Sequence, residues 1–271
     1  MACAVDFSKK SIFLVSGASQ GIGREISIKF AQNVNKNSIF ILLARSLEGL
    51  EETKKRISKI DNGLTVLTHA IDLSKPNLEK YNQLFDQVLK TIDSTGIEYG
   101  YIFHNAASNG EMKRISELSN IQTWREYYEF NLFSAVLLNN AFLEKFSPVA
   151  QKLVVVEISS ACAIVPYPHL VLHGTSKAAR QNFFKVLAAE QLNIIVLIYC
   201  PGAVRTEMFD LMCKTAEPIE VRRAFQEITD KNILTTDQTI GRLVEILRKG
   251  DFKSGDIVDY HNHFGSINSF K

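Results

Sequence analysis

The stretch Ile12-Phe13-Leu14-Val15-Ser16-Gly17-Ala18-Ser19-Gln20-Gly21-Ile22-Gly23 decides the fold. Its four leading apolar residues, ended by a glycine turn, read as a short buried strand. Three glycines follow in the spacing G-x-x-x-G-x-G, and residues 23–33 then have the periodicity of an amphipathic helix. Glycine permits a tight turn and a close approach of the backbone to a ligand, and the start of a helix presents unpaired N–H groups to an anion. A strand, a glycine turn and a helix in that order can hold the pyrophosphate of a dinucleotide, with Gly17, Ser19, Gln20, Gly21, Ile22 and Gly23 around it. A purely structural turn is the alternative.

The same alternation repeats outward from this unit. Short apolar or β-branched runs at 12–15, 39–43, 65–71, 99–104, 153–158, 194–199 and 256–260 predict seven strands. Between them, 23–33, 78–92, 124–146, 176–191 and 236–249 have helical periodicity. Strands alternating with helices imply repeated βαβ units, and strands apolar throughout imply helices on both faces. The expected fold is therefore α/β: a Rossmann-type, doubly wound parallel sheet of seven strands flanked by helices. No linker or charge block divides the chain, so residues 1–271 read as one domain. Residues 206–231, with Pro218 and mixed charge, suggest either a helical flap over a site or a surface excursion.

With 31 basic against 29 acidic residues and a formal charge of +2, there is no excess to attract nucleic acid or an anionic membrane. The expected partner is a small molecule. Cys3, Cys162, Cys200 and Cys213 form no C-x-x-C pair and no metal-ligand spacing with the six histidines, so no metal is expected and a reducing, cytoplasmic setting fits. The amino terminus lacks a basic region followed by a separate apolar stretch, and no apolar run reaches the roughly 18 residues that span a bilayer. A soluble protein is expected.

The second strand ends in Leu43-Ala44-Arg45-Ser46, with no carboxylate for an adenosine ribose. A cation there suits a 2′-phosphate, so Arg45 points to NADP(H) rather than NAD(H); a surface arginine at a strand end is the alternative. Asp72, after the third strand, could accept from the adenine amino group, and Asn105 and Ala106, after the fourth, could lie along a ribose. Either could instead cap a turn.

Ser160 is followed thirteen residues later by His173-Gly174-Thr175-Ser176-Lys177. Together with the glycine turn, FNLFSAVLLNNAF around Asn131, ISSACAIVPY at 158–167, SKAARQNFFKVLAAE at 176–190, YCPGAVRTEM at 199–208 and FKSGDIVDY at 252–260, this resembles the short-chain dehydrogenase/reductase family, and within it the sepiapterin reductases. The resemblance implies reduction of a carbonyl by hydride from NADPH, on a pterin side chain or a small dicarbonyl. It would make Ser160 the hydroxyl that polarises the carbonyl, Lys177 the ligand of the nicotinamide ribose and Asn131 the holder of a relay water. Pro201, Gly202 and Thr206 would bound the nicotinamide, and Asp259 would anchor the pterin ring; a strand-end aspartate facing water is the other reading of Asp259. A homodimer through 124–146 and 176–191 is also implied.

The departures from the family pattern are specific. His173 stands where the family carries its catalytic tyrosine. His104-Asn105-Ala106-Ala107 replaces N-N-A-G, Gln20 replaces a frequent arginine, and His169 and Leu170 replace a glycine and a tryptophan. His173 and Lys177, four apart on a helix, share a face. An imidazolium has a pKa of about 6.5, and a neighbouring ammonium makes it less favourable still, so a neutral ring is expected at pH 7. Two readings stay open: a reductase whose acid is His173 or a water, and a protein that binds NADPH without turnover. Tyr167 could substitute as acid only if the loop before His173 folds back. Glu157, inside the apolar run VVVEIS, needs a partner if buried, and the sequence names none.

Overall fold

Strands with apolar side chains on both faces need cover on both, and the chain supplies it by returning through a helix after most strands. The computed structural model describes residues 3–60, 63–215 and 233–261, together with 219, 221–223 and 226–227. Its strands are β1 (Ser11–Ser16), β2 (Ile39–Ala44), β3 (Thr65–Ala70), β4 (Tyr99–His104), β5 (Lys152–Ile158), β6 (Ile194–Cys200) and β7 (Ile257–Asp259). They form one parallel sheet in the order β3-β2-β1-β4-β5-β6-β7. The helices are α1 (Gly21–Ala31), α2 (Leu47–Ser58), α3 (Leu78–Thr91), α4 (Ile121–Tyr128), α5 (Ser134–Phe146), α6 (Val171–Glu190), α7 (Glu207–Thr215) and α8 (Thr236–Lys249).

On one face, Phe30 of α1, Leu50 and Ile57 of α2 and Leu243 and Leu247 of α8 pack on Phe13, Phe40 and Phe103. On the other, Phe85 of α3, Phe142 and Phe146 of α5 and Phe184 of α6 pack on Ile12, Ile41 and Val155. The strand order reverses direction between β1 and β4, and in such sheets the crevice beyond the strands' carboxyl ends at that switch point receives the ligand.

Three local features differ from the sequence expectation. Helix α2 was not anticipated, because its buried stripe is only Leu50, Thr53 and Ile57; Ser46 starts it, its Oγ accepting from Gly49 N at 3.1 Å. The periodic stretch 124–146 is not one helix but α4, a π-helical turn (Glu129–Phe133) and α5. Helix α6 begins at Val171, ahead of the expected 176, and so carries His173 and Lys177 on successive turns. Of the proposed flap, α7 is its first part, whereas Pro218 and residues 216–217, 220, 224–225 and 228–231 lie outside the described residues. Among the described residues no helix is long and apolar enough to cross a membrane.

Candidate active site

The glycine turn is built as its sequence requires. Gly17 and Gly21 have φ of +71° and +53°, the left-handed region that side chains rarely occupy. A Cβ on Gly23 would fall 2.2 Å from the Gly17 carbonyl oxygen and 2.5 Å from Asn105 Nδ2. The turn is fastened to the end of β4 by Ser16, whose Oγ donates to the Phe103 carbonyl (3.0 Å) and accepts from Asn105 N (3.0 Å) and Ala106 N (3.1 Å). Asn105 Nδ2 donates back to the Ser16 carbonyl at 3.0 Å. On the other side Arg24 donates to the carbonyls of Ser19 and Gly49.

A cavity of about 820 Å³ runs from this turn past Arg45 to Ser160, His173 and Lys177. Its wall takes in Gly17, Ser19, Gln20, Gly21, Ile22, Arg45, Asn105, Ala106, Pro201, Gly202 and Thr206, with Ala107 where the family has glycine. A turn that only glycine can make, at a helix start and opening on a cavity of ligand size, fits a dinucleotide. Four of the anticipated residues lie off the wall. Gly23 sits beneath the turn. Asp72 is exposed, and its Oδ1 accepts from Ser74 N at 3.0 Å, the turn-capping role. Asn131 is buried in the π-helical turn with its amide engaged: Oδ1 accepts from Ser108 N (2.7 Å), and Nδ2 donates to Ser108 Oγ (3.1 Å) and the Tyr127 carbonyl (3.0 Å). Asp259 does not face water as a strand-end residue would; it is 6% exposed, beside Cys200 at the end of β7.

Ser160, His173 and Lys177 come together on the cavity wall at the carboxyl end of β5. Ser160 caps the 3-10 turn Ala161–Ala163, its Oγ accepting from Cys162 N at 3.2 Å. The Ser160 hydroxyl also lies within hydrogen-bonding reach of the Cys162 thiol, and both residues line the cavity. Lys177 Nζ donates to the Ile158 carbonyl at 2.5 Å. Burial, then repulsion from Arg180, pushes the Lys177 ammonium down to about 8, with Glu157 opposing the fall. Burial, then the Lys177 charge, pushes the His173 imidazolium down to about 4, against a hydrogen bond to the Ser108 backbone. The ring is therefore neutral at pH 7.

A histidine held neutral in the fold and free to protonate in the unfolded chain couples stability to pH. Because the folded pKa lies below the unfolded value of about 6.5, the unfolded state binds the proton first, and stability present above that pH is lost as pH falls toward 4. The loss from His173 should approach about 3 kcal/mol. Urea unfolding at about pH 7 and pH 4 should show His173→Phe losing less stability than the natural protein by that amount.

The wall also takes in Tyr167, weighed above only on condition that its loop folds back, while other contributors were not singled out by the sequence. Tyr167 reaches the wall because the chain does fold back: Leu170 N donates to the Tyr167 carbonyl at 3.3 Å across Pro168-His169, and His169 has φ +67°, a turn position where glycine is usual. Met208, Phe209 and Met212 of α7 form an apolar side of the cavity; their helical spacing was a readable signal. Arg180, wholly buried beneath the site, left none, since one more cation on an amphipathic helix reads as a solvated position.

A parallel sheet with a dinucleotide cradle at its switch point, and a serine and a lysine on the same cavity wall, defines an oxidoreductase of the Rossmann class. Residues 11–216 match the profile of the family described as short chain dehydrogenase. The chain belongs to that family, the short-chain dehydrogenases/reductases, and is an oxidoreductase acting on carbonyl or CH–OH groups. It is 31% identical over 254 residues to a sepiapterin reductase of Xenopus laevis, covering 92% of this chain and 95% of that one. Identity to the benzil reductase ((S)-benzoin forming) of Bacillus subtilis is 27% over 254 residues, covering 92% and 97%. Among solved structures, a short-chain dehydrogenase of Shigella flexneri complexed with NADP superposes with a TM-score of 0.75 at 26% identity, over 94% of this chain and 99% of that one.

Proposed function

We propose that the protein is an NADPH-dependent carbonyl reductase whose substrate is a pterin carrying a side-chain ketone or a small dicarbonyl. The observation that carries this reading is one continuous cavity joining the glycine turn and Arg45 to Ser160, His173 and Lys177. The cofactor's pyrophosphate would lie on the Gly17–Gly23 turn and the start of α1, its 2′-phosphate by Arg45, its adenine near Ile71 and Leu73 on either side of the turn-capping Asp72, its riboses along Asn105-Ala106 and at Lys177, and its nicotinamide against Pro201, Gly202 and Thr206. When bound it supplies the hydride. Ser160 then donates to the substrate oxygen, and Lys177 holds positive charge beneath the site as that oxygen gains electron density.

Three sources would serve to deliver the proton to that oxygen: His173 in its protonated form, Tyr167, half-exposed on the wall and so rechargeable from water, and a water itself. NADPH oxidation with sepiapterin and with a small diketone, followed from about pH 5.5 to 8.5, tests the reading. A rate that climbs as pH falls marks His173 as acid. A flat profile abolished by Tyr167→Phe marks Tyr167. The low proton affinity of His173 favours a second reading, a protein that binds NADPH without turnover; tight binding with no oxidation of either substrate supports it. Asp259 lies off the wall, so an anchor for the pterin ring must come from elsewhere or from movement of β7, whereas a dicarbonyl needs no such anchor.

Arg45 sets the cofactor choice. Arg45→Ala should weaken NADPH about tenfold or more and leave NADH unchanged, as read by fluorescence titration. The same reading makes the protein a cytoplasmic homodimer through 124–146 and 176–191. Exposed Phe133 and Val186 lie on those segments, and mass measurement by light scattering decides the oligomeric state.

A further inference from the structure

Glu157 is wholly buried in a strand whose neighbouring side chains are apolar, so its charge requires partners. Arg180 Nη2 donates to Glu157 Oε2 at 2.5 Å. The same guanidinium donates to the carbonyls of His104 (2.8 Å), Ala106 (3.2 Å) and Asn131 (3.1 Å). One side chain of α6 thus clasps the end of β4, the π-helical turn and β5, the three segments around the cavity floor. The other Glu157 oxygen, Oε1, stands 3.5 Å from Lys177 Nζ. The cluster holds two cations and one carboxylate, with Arg180 and Lys177 no more than 4% exposed.

We propose that Glu157 is a positioning residue for Lys177: its carboxylate, oriented by Arg180, keeps the Lys177 ammonium charged and turned to the cavity floor. The use of that charge, at a cofactor ribose, rests on the reductase reading; the charge itself does not. The groups facing Lys177 are His104 from β4, Glu157 from β5, Cys162 from the 3-10 turn, Cys200 from β6, and His173 and Arg180 from its own helix. Burial holds both histidines neutral at pH 7 and raises both thiols, Cys200 to about 12, with Asp259 adding to the rise at Cys200. Glu157 is therefore the carboxylate of this set, and against burial and Arg180 it is what sustains the ammonium.

The test uses full-length protein without cofactor, carrying lysine labelled with 13C at Cε, titrated by NMR; the Lys177 signal is identified by its loss in Lys177→Met. Lys177 should titrate near 8 in the natural protein. In Glu157→Gln, which keeps the size and an acceptor for Arg180 but removes the charge, the midpoint should fall by about one to three pH units. A midpoint unchanged in a folded Glu157→Gln protein overturns the proposal. Should that variant not fold, Glu157→Asp decides: drawing the carboxylate back by one methylene should lower the midpoint by a smaller step, and a midpoint equal to the natural one overturns it. Because nothing is turned over, an inactive protein with the expected shift leaves the proposal standing and counts only against the reductase reading.

Discussion

His173→Tyr should raise kcat/KM for carbonyl reduction at pH 7 by about 10²- to 10⁴-fold, the usual contribution of a positioned general acid. The reason is the supply of protons rather than the reach of the side chain. With its imidazolium pushed down to about 4 by burial and by Lys177, His173 carries a proton in only about one molecule in a thousand at pH 7. A phenol at the same place is fully protonated there, and the lysine beneath it stabilises the phenolate it leaves behind. The pH dependence should change with the rate. If His173 is the acid, the natural protein should speed up about tenfold for each unit that pH falls between 8 and 5, and His173→Tyr should be nearly flat from 6 to 8. A variant that binds NADPH as tightly as the natural protein, yet reduces neither sepiapterin nor a diketone, would mean that more than the acid has been lost. An increase from no measurable turnover would mean that the natural chain is a nucleotide-binding member of the family lacking only its proton donor.

Gly23→Ala should abolish NADPH binding, raising Kd by about 100-fold or more, and should lower Tm. An added Cβ would lie 2.2 Å from the Gly17 carbonyl oxygen, a backbone atom that can yield only if the whole turn shifts. The same methyl would press on Asn105 Nδ2 at 2.5 Å and disturb the bonds that fasten the turn to β4. The matched control is Gly241→Ala in α8, where a Cβ meets nothing within 4 Å and no positive φ is required. There the methyl only removes freedom from the unfolded chain and raises helix propensity, so the control should gain ~0.5–1 kcal/mol and bind NADPH unchanged. Thermal denaturation and cofactor titration on both variants separate damage to the cradle from a general effect of replacing glycine. Equal NADPH affinity in both would remove the turn from the cofactor site.

The fold was legible because its signals are local. The run Ile12 to Val15 before Gly17 reads as a buried strand entering a tight turn, and β2, β4, β5 and β6 repeat the same short buried pattern. The break inside 124–146 was not legible, because the residues of the π-helical turn keep enough helical periodicity to hide it; in that turn Asn131 bonds both to the Tyr127 carbonyl and to Ser108, a residue 23 positions away. Helix α2 escaped for the opposite reason, an apolar stripe too thin to stand out.

At the site the division follows the same physics. By itself the sequence determined the glycine turn and the cation at Arg45, since each is a residue type at a fixed spacing from a local element, whereas the roles of Ser160 and Lys177 and the histidine in the tyrosine's place were legible only through the family resemblance. Only the tertiary structure decided that Tyr167 reaches the cavity, that Asp259 is buried off its wall, and that Glu157 has its partner in Arg180. Those outcomes depend on which side chains meet across β4, β5, β6 and α6, and on how far burial removes charge from water. Neither is a property of any one stretch of chain.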